Sequence, residues 1–219
     1  MSINVVDLGV PEDTHDYYDV TFYQYSILTL VTATPSFVES WISEIEGIHR
    51  HRLQSLIVGL NIEWRPRRRK HEFPVATLQL CVGRHCLIFQ ILHSPSIPWT
   101  LRNFLLNTSY TFVGPGIDDY IKRLNDHYNL HVGRTTDLRA LALEFGRTDL
   151  GNAGLRGLTR IVLGKEYNKK TMVMKSRWDN RSLSPAQVEY ACLDAFLSFE
   201  IGKFYISAKR TRSRFELAV

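Results

Sequence analysis

Asn61 and Glu63 stand two residues apart at the end of the apolar run Leu56-Ile57-Val58-Gly59-Leu60. On a strand they project to one face. Tyr190 and Asp194 are four apart in a helical stretch and share one side of it. Carboxylates are hard oxygen donors of the kind that hold Mg²⁺. An amide oxygen is neutral and weaker, and a phenol can orient a water. Alone, the Tyr190/Asp194 spacing is what many surface helices offer. Its surroundings give it weight.

The strand carrying Asn61 and Glu63 is read as Ser55–Trp64. Before it come a polar arm over 1–19, one or two strands over Thr21 to Thr34, a helix Phe37 to Glu46, and a His/Arg-rich loop from Gly47 to Arg52. After a basic loop (Arg65 to Glu72), Val75–Val82 and Cys86–Leu92 read as antiparallel strands joined around Gly83-Arg84-His85. A short helix over Pro98 to Asn107, a buried strand Thr111–Gly114 and a helix from Ile117 to Tyr128 follow. In that last helix Ile117, Ile121, Leu124 and Tyr128 recur at helical spacing. Thr136–Phe145 and Leu155–Leu163 read as further helices. The final helix has the clearest start: Ser184-Pro185-Ala186-Gln187 combines an N-cap serine, proline at the first helical position and a glutamine three residues after the cap. It is expected to run to about Ile206, leaving Lys209-Arg210-Thr211-Arg212-Ser213-Arg214 as a frayed basic tail. Early strands, late helices and an antiparallel hairpin predict an α/β fold with a mixed sheet.

With 219 residues and 44% hydrophobic content, a single globular domain with a sizeable core is expected. The net charge of +5 permits contact with a polyanion without requiring it. Cys81, Cys86 and Cys192 all lie in apolar stretches, and their odd count without framework spacing points to reduced core thiols. No run approaches the ~20 apolar residues of a membrane span, and Met1 to Asp19 is too acidic for a secretory signal. A soluble protein of the cytosol or nucleus is expected.

Leu183-Ser184-Pro185-Ala186-Gln187-Val188-Glu189-Tyr190-Ala191-Cys192-Leu193-Asp194-Ala195, taken with Val58-Gly59-Leu60-Asn61-Ile62-Glu63-Trp64, closely resembles the last and first motifs of the DEDDy (DnaQ-like) 3'-5' exonucleases. More narrowly, it is similar to the Werner-syndrome-type exonuclease domain and its plant relatives. Val75-Ala76-Thr77-Leu78-Gln79-Leu80, Phe112-Val113-Gly114-Pro115-Gly116-Ile117, and Leu163-Gly164-Lys165 with Ser176-Arg177-Trp178 look like the intervening motifs in the right order. The resemblance covers roughly residues 20–207 and leaves 1–19 as an arm and 208–219 as a basic tail.

The resemblance implies a ribonuclease-H-like fold, with a five-stranded mixed sheet flanked by helices. It also implies hydrolysis of phosphodiesters by two divalent cations, Mg²⁺ or Mn²⁺, about 4 Å apart. By position, Glu63 and Asp194 are the retained metal ligands and Tyr190 the residue that orients the attacking water. Two acids are replaced: the bridging position is Asn61, and the middle acid is Tyr120. Asp118 and Asp119 lie just before Tyr120, but a one-residue shift turns a helical side chain by about 100°. Asp119 is the weaker candidate for a metal ligand on this ground. Too few carboxylates then remain, so Mg²⁺ or Mn²⁺ is expected to be weakly bound or absent.

Arg65-Pro66-Arg67-Arg68-Arg69-Lys70-His71 follows directly from the strand bearing Glu63. It is either a solvated loop or a phosphate contact, with Arg65, Arg67, Arg68, Arg69 and Lys70 as the contacting side chains. Trp64 is either a core residue or a stacking platform for a terminal base. The basic tail is either a loose end or a nuclear-import signal. His49 and His51 lack zinc-site partners and read as surface residues.

Three functions fit these residues. The first is a nucleic-acid-binding member of the family, acting on single-stranded RNA or DNA, with hydrolysis impaired or absent. The second is a working metal-dependent 3'-5' exonuclease. The third is a non-catalytic subunit or scaffold; plant members suggest a homo-oligomer, hexameric in some cases.

Overall fold

The computed structural model describes residues 3–9, 14–65, 73–168 and 170–216, with side chains to residue 212. In chain order the elements begin with β1 (Ile3–Asp7), β2 (His15–Phe22) and β3 (Tyr25–Thr32), then α1 (Pro35–Ile48), β4 (Ile57–Trp64), β5 (Val75–Val82) and β6 (His85–Phe89). A second half adds α2 (Trp99–Leu106), β7 (Thr111–Gly114), α3 (Ile117–Tyr128), β8 (Thr135–Asp137), α4 (Leu138–Glu144), α5 (Leu155–Leu163), α6 (Thr171–Met174) and α7 (Pro185–Glu216).

The strands form one mixed sheet in the order β1-β2-β3-β6-β5-β4-β7-β8. It has eight strands, where five were expected. The three extra ones, β1 to β3, form an antiparallel meander that joins the sheet by parallel pairing of β3 with β6. The loose arm expected over 1–19 therefore supplies β1 and the start of β2. Tyr18, Val20 and Phe22 are buried while Tyr17, Asp19 and Thr21 between them stay partly exposed, the two-residue period of a half-buried strand. β8 occupies the start of what read as a helix over 136–145, because parallel pairing to β7 claims Thr135, Thr136 and Asp137 before α4 begins. Asp137 then caps α4, accepting the Arg139 amide at 2.7 Å.

β5 is buried at every residue and β4 at all but Trp64, the mark of central strands covered on both faces. On the face that carries Gly59, the covering element is α7. Its start bears out the capping motif: the Ser184 amide donates to Gln187 Oε1 at 3.0 Å, and the Gln187 amide donates to Ser184 Oγ at 3.4 Å. It does not stop near Ile206. No glycine or proline interrupts residues 203–216, and the helix continues through the segment expected as a frayed tail. The three cysteines, Cys81 on β5, Cys86 on β6 and Cys192 on α7, are free and fully buried, and burial pushes their thiols up.

One glycine sets how closely α7 lies on β4. A Cβ at Gly59 would collide with the Ala195 carbonyl oxygen and reach within 2.7 Å of the Phe199 amide nitrogen. Both obstacles are helix backbone, which cannot rotate aside. Gly59→Ala is expected to destabilise the chain by roughly 1–3 kcal/mol or more, an overpacking cost. That corresponds to a melting midpoint lower by roughly 2–12 °C. A calorimetric midpoint within a degree of the parent would show that α7 does not pack as described.

Candidate active site

Gly59, Asn61 and Glu63 share one face of β4, and the contact through Gly59 brings that face against α7. Tyr190 and Asp194 lie on the adjoining helix surface. Tyr120, on the first turn of α3, and Met174 with Lys175, just before α7, complete the walls. Together with Ile62 and Trp64 these residues line a cleft of about 320 Å³. Every position singled out by the motifs, Asn61, Glu63, Tyr120, Tyr190 and Asp194, is thus brought into one place.

The interior of the cleft is hydrogen-bonded. Asn61 Nδ2 donates to Glu63 Oε1 at 3.3 Å and to Gln79 Oε1 at 3.2 Å, and Gln79 Nε2 donates to Thr77 Oγ1 at 2.6 Å. The Tyr167 hydroxyl donates to Asp194 Oδ1 at 2.7 Å. Asn61, Glu63, Gln79 and Asp194 are all buried, so these bonds replace lost hydration rather than supplement it. Burial raises the Tyr120, Tyr167 and Tyr190 phenols well above their ordinary value, and the Asp194 and Glu63 charges add to the effect. All three remain protonated donors at neutral pH.

Gln79 and Tyr167 were missed by the motif reading. Gln79 had left a signal, being a lone amide inside an apolar strand, and it pairs directly opposite Asn61. Tyr167 had left none. It reaches Asp194 from a segment without regular structure, across 27 residues of sequence.

Other expected positions fall differently. Asp118 and Asp119 are exposed and do not line the cleft, so the metal-ligand position considered for Asp119 is not where its side chain sits. Trp64 is half-buried, with the Arg123 guanidinium 4.2 Å over its ring, so one of its faces is already covered by a cation. Arg65 pairs with Asp179 at 3.2 Å, and Asp179 is also held by Arg177 at 2.8 Å. The Arg177 hydrogen bond is the main cause holding the Asp179 carboxyl below its ordinary range. Arg67, Arg68, Arg69 and Lys70 lie outside the described residues. Among the described residues, no group of three or more His, Cys, Asp or Glu side chains is placed to hold a metal ion. Likewise, no described helix is long and apolar enough to cross a membrane.

A mixed sheet covered by helices, with acids from a central strand and a packed helix meeting in one cleft, defines a ribonuclease-H-like nuclease class. The chain belongs to the 3'-5' exonuclease family, whose sequence profile matches residues 31–204. A 3'-5' exonuclease of Arabidopsis thaliana is 37% identical over 150 residues, 67% of this chain and 51% of the relative. The mouse bifunctional 3'-5' exonuclease/ATP-dependent helicase WRN is 32% identical over 146 residues, 64% of this chain and 10% of that protein. The chain therefore spans about half the length of the plant relative and far less of the mouse one. The fold is similar to that of Escherichia coli RNase D, with a TM-score of 0.67 at 19% identity over 83% of this chain and 45% of that one. The resemblance to Werner-type and plant exonucleases is borne out, and members of the family typically use Mg²⁺ or Mn²⁺.

The raised phenols make a testable statement about alkaline stability. An unperturbed tyrosine titrates near pH ~10. A folded-state value above that contributes stability that is complete below about pH 10 and is lost as pH rises through the folded value. Tyr167→Phe is expected to cost roughly 1.5–3 kcal/mol at neutral pH, the size of a hydrogen bond to a charged group. It should also flatten the loss above about pH 10. Denaturant titrations of both chains on either side of that pH give the comparison. Parallel curves would dissociate Tyr167 from the alkaline loss.

Proposed function

We propose that this chain is a nucleic-acid-binding member of the 3'-5' exonuclease family whose two-metal centre is degenerate, so that hydrolysis is impaired or absent. One observation carries the reading: each retained carboxylate accepts a hydrogen bond from a protein donor, Glu63 from Asn61 and Asp194 from Tyr167. Two divalent cations bring about four positive charges, and carboxylates must offset them in a cleft with little water. Glu63 and Asp194 supply two negative charges. Asn61 turns its amide nitrogen, a donor, toward Glu63, and Tyr120 puts a phenol where the family has an acid. This donor set does not fit a pair of cations, and Mg²⁺ or Mn²⁺ is weakly bound or absent in this reading.

The expected ligand is single-stranded RNA or DNA, held by the basic segment after Trp64. A homo-oligomer, up to a hexamer, accords with the likeness to plant members, and reduced core thiols accord with a protein of the cytosol or nucleus. A second reading, a working metal-dependent 3'-5' exonuclease, is favoured by the retention of Glu63, Tyr190 and Asp194 in one cleft. A third, a non-catalytic subunit or scaffold, needs no affinity for nucleic acid.

Degradation and binding of labelled single-stranded RNA and DNA with Mg²⁺ and Mn²⁺ separate the three readings. The native chain is expected to bind without trimming. An Asn61→Asp/Tyr120→Asp chain is expected to trim at least about 100-fold faster, because a seated cation supplies several kcal/mol to the transition state. Brisk metal-dependent trimming by the native chain would establish the second reading. Absence of binding by both chains would establish the third.

A further inference from the structure

The end of the sheet opposite the cleft holds a separate, smaller pocket of about 130 Å³. Arg52 and Ser55 reach it from a 3₁₀ turn over Arg50–Ser55, and Lys203, Ser207 and Arg210 reach it from α7. Phe199 and the first residues of β4 form an apolar floor. Lys203, Ser207 and Arg210 are spaced four and three residues apart, which places them in one stripe along the helix. The stripe exists because α7 continues past residue 206 instead of fraying. The continuation is tied to the body of the protein by Lys209, whose Nζ lies 2.7 Å from Glu144 Oε2 on α4.

No carboxylate lines this pocket among the described residues. Lys203 shares its charge with Glu200 at 3.2 Å on the preceding turn, and its Nζ lies 5.6 Å from the Phe199 ring centroid. Arg52 is engaged by His49 Nδ1, at 3.3 Å from Nε and 3.1 Å from Nη2. Burial and the Arg52 charge pull the His49 imidazole below its ordinary value, so this acceptor is neutral and leaves the guanidinium charge uncompensated. Arg52, Lys203 and Arg210 are exposed. The Ser55 hydroxyl already donates to the Arg52 carbonyl at 3.3 Å, so the pocket offers three cations and the Ser207 hydroxyl to a small anion, with one carboxylate set behind them.

We propose that this pocket holds a phosphate group of a bound nucleic-acid strand, away from the cleft. The chemistry is that of a sequence-independent backbone contact: a point charge and guanidinium groups for the anion, with the Ser207 hydroxyl for a remaining oxygen. β4 begins at the pocket with Ile57 and reaches the cleft at Glu63, a separation of ~20 Å at the rise of a strand. A strand of about two or three nucleotides in the cleft is too short to reach the pocket, whereas a longer one can run over the surface to it. The inference rests on the nucleic-acid-binding part of the proposed function and does not depend on whether the cleft hydrolyses.

The test compares single-stranded oligonucleotides of roughly 3 and roughly 20 nucleotides, by fluorescence anisotropy across a range of salt. The chains are the native protein and the Arg210→Glu and Arg52→Gln variants, each first checked for an unchanged melting midpoint. Each variant is expected to weaken the longer strand by about 5-fold and to reduce its salt slope by about one, leaving the shorter strand unaffected. Inorganic phosphate, titrated against the backbone amides of 199–210 by NMR, is expected to shift those signals in the native chain and not in Arg210→Glu. If the native chain binds both lengths and the variants change neither, the inference is overturned and the nucleic-acid reading stands. If inorganic phosphate binds while the longer strand is indifferent to both variants, the pocket serves a small phosphorylated ligand and the strand proposal fails. A native chain that binds neither length removes the nucleic-acid reading itself, and this inference with it.

Discussion

The closeness of α7 to β4 is the contact on which the rest of the molecule depends. Alternation along β4 puts Gly59, Asn61 and Glu63 on one face, and only Gly59 lets the helix backbone at Ala195 and Phe199 lie directly against the sheet. Asp194 is the neighbour of Ala195, and Tyr190 is one helical turn away. The missing side chain at Gly59 thus fixes the distance between the acid of the strand and the acid of the helix. Gly202 repeats the device eight residues after Asp194, where a Cβ would stand 2.6 Å from Val113 Cγ2 on β7. Two close approaches make α7 a rigid brace across the centre of the sheet, and the site is built on that brace rather than on loops.

Polar groups placed on such a brace are buried, and burial decides which charges can persist. Three carboxylates at positions 61, 63 and 194, with no cation among them, would repel one another in a medium of low effective dielectric. An amide at 61 removes one charge and offers Glu63 a donor. Tyr167 does the same for Asp194. The surrounding phenols, held protonated by burial and by these two acids, add donors without adding charge. In the proposed reading the cleft is therefore self-consistent without cations, and a change at one position alters the electrostatic demand at the others.

How much of this was legible in the sequence depended on the range of the interactions. The start of α7 was legible because a capping box is written within four residues, Ser184 to Gln187. Asn61 and Glu63 were legible because strand alternation is local, and Tyr190 with Asp194 because helical spacing is. The meander β1 to β3 was read only in part. Ile3–Asp7 is an edge strand whose inward residues are only half-buried, so its alternation carries little hydrophobic contrast. The continuation of α7 was hidden by its own polarity: Lys209-Arg210-Thr211-Arg212 has no apolar stripe, and its anchor, Glu144, is distant in sequence. Tyr167 was invisible for the same reason, since nothing local announces a hydroxyl that will meet Asp194.

In the proposed reading, a cleft that keeps two carboxylates without cations faces its family's ligand with the wrong sign. A phosphodiester approaching Glu63 and Asp194 is repelled unless positive charge is supplied nearby, and Lys175 at the wall of the cleft is one such source. Another, at the far end of β4, is the stripe on α7. Attraction from cations at the cleft wall and farther along the surface favours holding a strand loosely and sensitively to salt. It does not polarise the bond to be broken, because the charges surround the reacting position instead of occupying it. In the proposed reading the amide at 61, the phenol at 120 and these cations therefore favour the same behaviour, retention of a strand in place of its hydrolysis.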